Sequence, residues 1–232
     1  MSDKQKRYTT QLQAGLGLIE ETKLLLSVYR REMTVTQLHE TALESGLFPM
    51  ISARRLRNVI AECFSPRYIK TDAAQYLKKI NQSISATSFN QFLLIFTALA
   101  NRILCDFIIE VYWNRYSSGR DTLSINDARD FVNNGVREGK TKKIWSDSTI
   151  TKVSSYLIGC CADYGMISSN RSSVRQIQSI RIEEDTMLFF SYWLHFQNVG
   201  DNSIINHEMW KIFGLEPSDV REELKRIAKK GC

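Results

Sequence analysis

Apolar residues recur every three or four positions through most of the chain, which is the period of a helix with one buried face. Prolines, which interrupt helices, number only 3 in 232 residues. The densest apolar run is Phe92–Trp113, and its first half is apolar on every side except at Thr97. A helix that is hydrophobic all round lies either at the centre of a protein or in a membrane. The pattern predicts an all-α, mainly helical fold around a buried central helix.

Charged residues decide between these two locations for Phe92–Trp113. Each strongly apolar residue gains roughly 0.3–0.6 kcal/mol on entering a bilayer, while a central Arg or Asp costs about 2.5–3.5 kcal/mol. Arg102 and Asp106 therefore cancel the gain, so a membrane span is poorly supported and we expect no membrane partner. Arg102, Asp106 and Glu110 lie four residues apart, which places them on one side of a helix. We expect this stripe to form ion pairs with another layer or to face solvent.

A first helix pair is predicted around residues 36–64. A helix over Thr36–Ser45 is ended by Gly46, and Ser52 is a suitable N-cap for the next helix. The apolar residues of that second helix fall at the spacing of one buried face: Leu56, Val59, Ile60 and Cys63. Its opposite side carries four candidate contacts: Arg54, Arg55, Arg57 and Asn58. Arg and Asn can form hydrogen bonds with guanine and adenine edges. The order of helix, glycine turn and basic helix therefore predicts a helix-turn-helix that contacts DNA. The alternative is a basic helix face that only meets solvent.

A second helix pair is predicted in the other half of the chain. A helix over 124–136 leads to a loop with three lysines, and Ser146 or Ser148 begins the next helix. Extended segments are predicted beyond it at 166–168 and 178–182. The candidate contacts come from the loop, from the outward side of the second helix and from the polar tip between the extended segments: Lys140, Lys142, Lys143, Thr149, Lys152, Ser155, Arg171 and Arg175. Two helices followed by a basic hairpin predict a winged helix-turn-helix, against the alternative of a solvated surface loop.

Positive charge is concentrated in the same two places. The net charge is +6, which permits an anionic partner. Residues 50–70 carry five basic residues and one acid, and residues 137–182 carry eight basic residues and three acids. Contact with a phosphate backbone requires clusters of this kind. A polar run between the clusters predicts a domain boundary, with domains at 1–116 and 117–232 and a small β-hairpin wing at 166–182.

Residue types needed for enzyme chemistry are sparse. The 3 histidines do not lie at metal-ligand spacing from one another. His207 and Glu208 begin a near match to the zinc motif H-E-x-x-H, but Lys211 stands at the second histidine position. The polar N-terminus has no signal-peptide pattern, and the 5 cysteines without a C-x-x-C pair indicate reduced, buried thiols. The sequence predicts a non-enzymatic, cytoplasmic protein with no metal or cofactor.

Four stretches give the chain a family resemblance: YTTQLQAGLGLIEETKLLLSVY, SGLFPMISARRLRNVIAECF, ALANRILCDFIIEVYW and TKKIWSDSTITKVSSYLIGCCADYGMI. In order and spacing, over Tyr8–Ile182, they resemble the BrxA family, the small core component of bacteriophage-exclusion (BREX) phage-defence systems. The resemblance implies a mainly helical protein with two helix-turn-helix elements that bind double-stranded DNA. It also implies action beside the system's methyltransferase, ATPase and phosphatase-like protein.

We therefore expect a non-enzymatic subunit that binds double-stranded DNA through two basic helix-turn-helix elements. Two alternatives stay open. A helical scaffold would dock other defence-complex subunits through the apolar face around Phe189–Trp193, and its basic segments would only aid solubility. An RNA-binding protein would use the same positive charges on single-stranded or structured RNA. The oligomeric state is open as well, with a monomer favoured.

Overall fold

Helices dominate the computed structural model, which describes residues 7–170 and 172–230. The prediction of a mainly helical fold is confirmed. The helices are α1 (Ile19–Val28), α2 (Val35–Glu44), α3 (Ala53–Val59), α4 (Ala74–Ile80), α5 (Ala86–Ala100), α6 (Arg102–Phe107), α7 (Trp113–Ser117), α8 (Ile125–Arg137), α9 (Asp147–Asp163), α10 (Glu184–Phe196), α11 (Asp201–Ile205) and α12 (Pro217–Lys229). Two short strands, β1 (Thr122–Ser124) and β2 (Val174–Gln176), pair with each other. Short 3₁₀ turns lie at Gln11–Ala14 and Glu208–Phe213.

Serine side chains begin the helices that matter most for the candidate site. Ser52 Oγ and Ser146 Oγ each accept the backbone N–H three residues on, at 3.3 and 3.4 Å, and so cap α3 and α9. Ser124 and Asp127 bond each other's backbone N–H groups in a capping box that begins α8. Each cap satisfies an N–H group that has no partner inside its helix. Residues adjacent in sequence therefore determine where these helices start.

The buried faces predicted for the second helix of each pair are confirmed. All of the selected residues are buried: Leu56, Val59, Ile60, Cys63, Ile150, Val153, Leu157, Cys161 and Tyr164. After Val59 the helix continues without a break as a wider π-helical stretch, Ile60–Ile69, which contains Pro66. A proline has no N–H group and clashes with the carbonyl four residues earlier in an α-helix, so the wider turn suits it. Both helices are thus anchored to the core along one face.

The apolar stretch Phe92–Trp113 is largely buried, but it is not one helix. α5 ends at Ala100, and Asn101 leaves the helical conformation with φ −130° and ψ 87°. Asn101 Nδ2 donates to the Thr97 carbonyl at 2.8 Å, which supplies a partner to a carbonyl at the end of α5. No single helix in the described chain is long and apolar enough to cross a membrane; the segments before and after the break meet that test only together, bent by 113°. The prediction of one continuous helix is wrong, because helical period carries no signal for a bend.

Aromatic side chains join α10 to α5 in the core. The ring centroids of Phe92 and Phe189 lie 4.4 Å apart, and those of Phe96 and Trp193 lie 5.1 Å apart. Buried residues from the start of the described chain to α12 belong to one cluster. The described core is therefore continuous across residue 116, and the division into two domains stays a prediction.

The predicted β-hairpin is present, but one of its strands lies elsewhere. Residues 166–168 pair antiparallel with residues 176–178 through two backbone hydrogen bonds of 2.8 Å. The strand predicted at 178–182 is wrong, because β2 ends at Gln176 and pairs along its other edge with β1. The antiparallel order is β1, β2, then 166–168. A strand as short as β1 has too few positions to show an alternating pattern, so the sequence did not reveal it.

A glutamine side chain holds the segment that was mistaken for a strand. Gln91 on α5 donates from Nε2 to the Arg181 carbonyl at 2.7 Å, and its Oε1 accepts the Glu183 N–H at 2.9 Å. One amide therefore makes the two bonds that a neighbouring strand would make. Ile180 and Ile182 pack against the core on either side of Arg181, which explains the alternating pattern.

We expect Gln91→Leu to lower the free energy of unfolding by about 1–3 kcal/mol, because a backbone carbonyl and an N–H group lose their partner. Urea unfolding followed by circular dichroism would measure the change. Gln82→Leu is the matched control, since Gln82 is exposed in a turn and its replacement should change stability by less than about 0.5 kcal/mol. Equal effects of the two substitutions would contradict the role given to Gln91.

Candidate nucleic-acid interface

The two helix pairs are built around the same kind of turn. We call residues 35–59, with α2 and α3, the first unit, and residues 125–163, with α8 and α9, the second unit. In each unit a glycine with positive φ ends the first helix, Gly46 at +67° and Gly139 at +72°. Only glycine adopts this conformation without strain, so the chain reverses there. The following helix then begins at the capping serine of each unit.

The second helices of the two units also share a register. When Ser52 is set beside Ser146, buried positions coincide: Leu56 with Ile150, Val59 with Val153, and Cys63 with Leu157. The outward positions then coincide as well, Arg55 with Thr149 and Asn58 with Lys152. The two units therefore present corresponding faces, although the residues on those faces differ.

In the first unit, all of the selected side chains reach solvent: Arg54, Arg55, Arg57 and Asn58. None of the three arginines takes part in an ion pair between described residues. Arg67, from the same basic segment of sequence, is instead only 1% exposed. Its guanidinium donates to the Gly15 carbonyl at 3.0 Å. Positive charge on this surface therefore comes from the start of α3 and not from Arg67.

In the second unit, the selected residues differ in exposure. Lys142, Lys143, Lys152 and Ser155 are exposed, while Thr149 and Arg175 are half-buried. The three exposed lysines form no ion pair with described carboxylates. Arg171 lies outside the described residues. The exposed cations are thus in the loop before α9 and on α9 itself.

Lys140 is engaged by the protein. Its Nζ lies 3.1 Å from Glu138 and 3.9 Å from Glu110, and 5.5 Å from the centroid of the Tyr8 ring. Its backbone carbonyl also accepts the Tyr8 N–H at 2.7 Å. Neighbouring carboxylates therefore already balance the charge of Lys140, unlike that of Lys142 and Lys143.

The N-terminal segment, residues 8–18, runs along the second unit and borders two grooves. Its far end is fixed by the Gly17 N–H, which donates to Asp163 Oδ2 at 2.8 Å. The first groove, of about 800 Å³, is lined by residues 7–10, 142–146 and Thr149. Arg7 in this groove was not among the predicted contacts, because no sequence pattern brings the N-terminus beside the lysine loop.

The second groove brings the two units together. It has a volume of about 550 Å³, and residues 15–16 and 18–21 form part of its lining. Arg55 of the first unit and Tyr156 of the second unit line it as well. The second helices of both units therefore border one groove, with the N-terminal segment between them.

Arg102 forms the predicted ion-pair stripe between layers. Its Nη1 lies 2.8 Å from both Glu208 carboxylate oxygens, and its Nη2 lies 2.7 Å from Asp106. Burial by itself would lower the pKa of Arg102. The hydrogen bond to Glu208 and the charge of Asp106 outweigh burial and raise this pKa above its ordinary value. The Tyr8 hydroxyl donates to Asp106 at 3.0 Å. The pKa of Tyr8 is raised, mainly by burial and next by the negative charge of Asp106. Glu208, the glutamate in the near match to the zinc motif, is thus an ion-pair partner of Arg102.

The described cysteines are buried, as predicted. Burial raises the pKa of Cys105 and of Cys160 to about 12, and it also raises the pKa of Cys63 and Cys161. These thiols are protonated at neutral pH and are therefore poor nucleophiles. Cys232 lies outside the described residues. Within the described ranges, His, Cys, Asp and Glu form no group of three or more that could hold a metal ion.

The fold and the site define a mainly helical protein with two basic helix pairs beside a common groove. A family model, BrxA, matches residues 6–191, so the chain belongs to the BrxA family. Membership implies a role in BREX phage defence together with other components of that system.

The fold is similar to that of a solved structure. It is the crystal structure of an uncharacterized protein from Magnetospirillum magneticum, with a TM-score of 0.68 and 15% sequence identity. The similarity covers 89% of this chain and 98% of that chain. At this identity the likeness shows the fold alone. No curated protein matches the chain.

Proposed function

We propose that this protein is a non-enzymatic BREX subunit that binds double-stranded DNA through both units, each acting as a helix-turn-helix. The observation that carries the proposal is the topology around the second unit. After α8 and α9, β2 pairs antiparallel with β1, and Ile167 forms an antiparallel bridge with Ile177 just beyond β2. A helix pair completed by such a sheet is the arrangement of a winged helix-turn-helix. In helix-turn-helix proteins the second helix lies in the major groove, with its first residues at the base edges.

Electrostatics support the same proposal. Six exposed cations of the two units form no ion pair with described carboxylates: Arg54, Arg55, Arg57, Lys142, Lys143 and Lys152. Exposed cations without partners in the protein favour an anionic partner, because each phosphate contact releases a condensed counterion. The N-termini of α3 and α9 add partial positive charge beside these side chains.

Roles for the candidate residues follow from their positions. The exposed cations, together with Arg171 and Arg175 of the wing, would neutralise phosphates. Asn58 and Thr149 would lie nearest the bases, while Ser155 would contact the backbone. Lys140 would shape the loop through its bonds to Glu138 and Glu110 and would contribute least to DNA contact. Because both second helices border one groove, we propose that residues 1–116 and 117–232 each supply one unit to a single duplex.

Duplex binding with strong salt dependence is the expected result for the whole protein. With six phosphates contacted, the slope of log affinity against log salt concentration should be about −5. Fluorescence anisotropy of a labelled random-sequence duplex, titrated at several salt concentrations, would measure this slope. Unlabelled duplex RNA and single-stranded DNA should compete poorly. An absence of duplex binding at low salt would contradict the proposal.

A scaffold role is the second candidate, and one surface favours it. Tyr192 and Phe196 on α10 are 59% and 65% exposed and stack on each other. Both lie beyond the residues matched by the family model. Their neighbours Phe189 and Trp193 contact the core and also line a groove together with Tyr192 and Phe196. Co-purification of other BREX components that survives high salt, without duplex binding, would support this role instead.

A further inference from the structure

Two apolar side chains project into solvent at the same place in both units. Met50 is 94% exposed and Ile144 is 88% exposed, more than any other large apolar side chain in the described chain. Met50 precedes the capping residue Ser52 by two positions, and Ile144 precedes Ser146 by two positions. Neither belongs to the hydrophobic core or to the residues packed against it.

The residues next to them in sequence behave in the opposite way. Ile51 is half-buried against the core, and Trp145 is 9% exposed. Each turn therefore directs one apolar side chain inward and the preceding one outward. A single exposed apolar residue needs no explanation. Here an exposed apolar side chain recurs at the same position in two units that share no sequence motif. This recurrence indicates that the side chain has a function at that position.

Cations flank both exposed side chains. Lys142 and Lys143 directly precede Ile144, and Arg54 and Arg55 closely follow Met50. If these cations bind phosphates, the apolar side chains reach the DNA surface at the entrance to the major groove. The 5-methyl of thymine is the apolar group that base edges present there.

We propose that Met50 and Ile144 contact thymine methyl groups in the major groove and give each unit a preference for thymine at the contacted position. This inference rests on the proposed function, in which the second helix of each unit enters the major groove. It assigns sequence preference to the turns, in addition to Asn58 and Thr149 on the helices. The contact is apolar, so it adds affinity without adding salt dependence.

Replacing thymine by uracil tests the contact, because uracil lacks only the methyl group. Binding would be measured to alternating poly(dA-dT) and to alternating poly(dA-dU) duplexes of equal length. The unaltered protein should bind the thymine duplex about fourfold more tightly for each methyl that it buries. Ile144→Ala and Met50→Ala should each reduce this ratio, and the double variant should bind both duplexes equally. The salt slope should stay unchanged in all three variants, because no charge is removed.

Two control variants complete the experiment. Phe196→Ala removes exposed apolar surface from α10, outside both units, and should leave the thymine-to-uracil ratio unchanged. Ile144→Val retains branched methyl groups and should keep most of the ratio. Equal binding of both duplexes by the unaltered protein, or an unchanged ratio in the double variant, overturns the inference alone. Failure of the unaltered protein to bind any duplex at low salt overturns the proposed function and the inference together.

Discussion

A protein carrying Arg54→Glu and Arg57→Glu is expected to bind duplex DNA on the order of a hundredfold more weakly at 0.1 M salt. Both side chains are exposed at the start of α3 and form no ion pair with described carboxylates. Reversal removes two phosphate contacts and adds repulsion. The slope of log affinity against log salt should therefore become shallower by about 1.8. Fluorescence anisotropy across a salt series would measure both quantities.

The second unit supplies an independent version of the same experiment. Lys142→Glu with Lys143→Glu reverses the same number of charges in the loop before α9. If both units contact one duplex, the protein with all four substitutions should lose affinity by the product of the two separate fold-reductions. Loss from one pair alone, with no further effect of the other, would show that a single unit binds.

The matched control reverses two charges outside both units. Lys225 and Lys229 are exposed on α12 and form no ion pair with described residues. Lys225→Glu with Lys229→Glu therefore changes the net charge equally but should leave the salt slope unchanged. If this control weakened binding as much as the α3 variant does, binding would depend on net charge and not on the units.

Replacing Arg102 by alanine is expected to lower the free energy of unfolding by about 3 kcal/mol, near the lower end of the range for breaking a buried ion pair. Asp106 is 7% exposed, and Arg102 lies 2.7 Å from it. The substitution leaves that carboxylate buried with only the Tyr8 hydroxyl as a partner. Glu208 loses both of its bonds to the guanidinium at the same time. Urea unfolding followed by circular dichroism would measure the loss.

Two further variants separate the buried charge from simple truncation. Adding Asp106→Asn to Arg102→Ala should recover part of the loss, because no unpaired charge then remains in the core. Lys211→Ala breaks the exposed pair with Glu216, whose atoms lie 3.6 Å apart, and should cost at most about 1 kcal/mol. A loss in Arg102→Ala no greater than that in Lys211→Ala would refute the structural role of the stripe.

Local chemistry accounts for the part of the fold that was predictable from sequence. The caps at Ser52 and Ser146 bond to N–H groups three residues away, and the buried faces of α3 and α9 follow from helical spacing. The ion-pair stripe was predictable for the same reason, since Arg102 and Asp106 are four residues apart. The exposure of the cations on α3 followed from their position opposite the buried face.

Contacts between distant residues account for most of what was missed. The segment 178–182 was interpreted as a strand, but the Gln91 side chain, about 90 positions earlier, bonds to the backbone at Arg181 and Glu183 instead. β1 has three residues and is defined only by its pairing with β2. The break at Asn101 was missed because apolar spacing on its two sides continues without interruption.

The sequence by itself determined that this protein is mainly helical, where its two basic helices begin, and which side of each faces the core. These properties depend on caps and spacings within a few residues, where the chain has little choice of partner. The tertiary structure alone decided that the N-terminal segment lies between the units, that Arg67 is buried, that Lys140 is paired, and that Met50 and Ile144 occupy equivalent exposed positions. Each of these depends on how elements far apart in sequence pack together, and a one-dimensional pattern carries no distances between them.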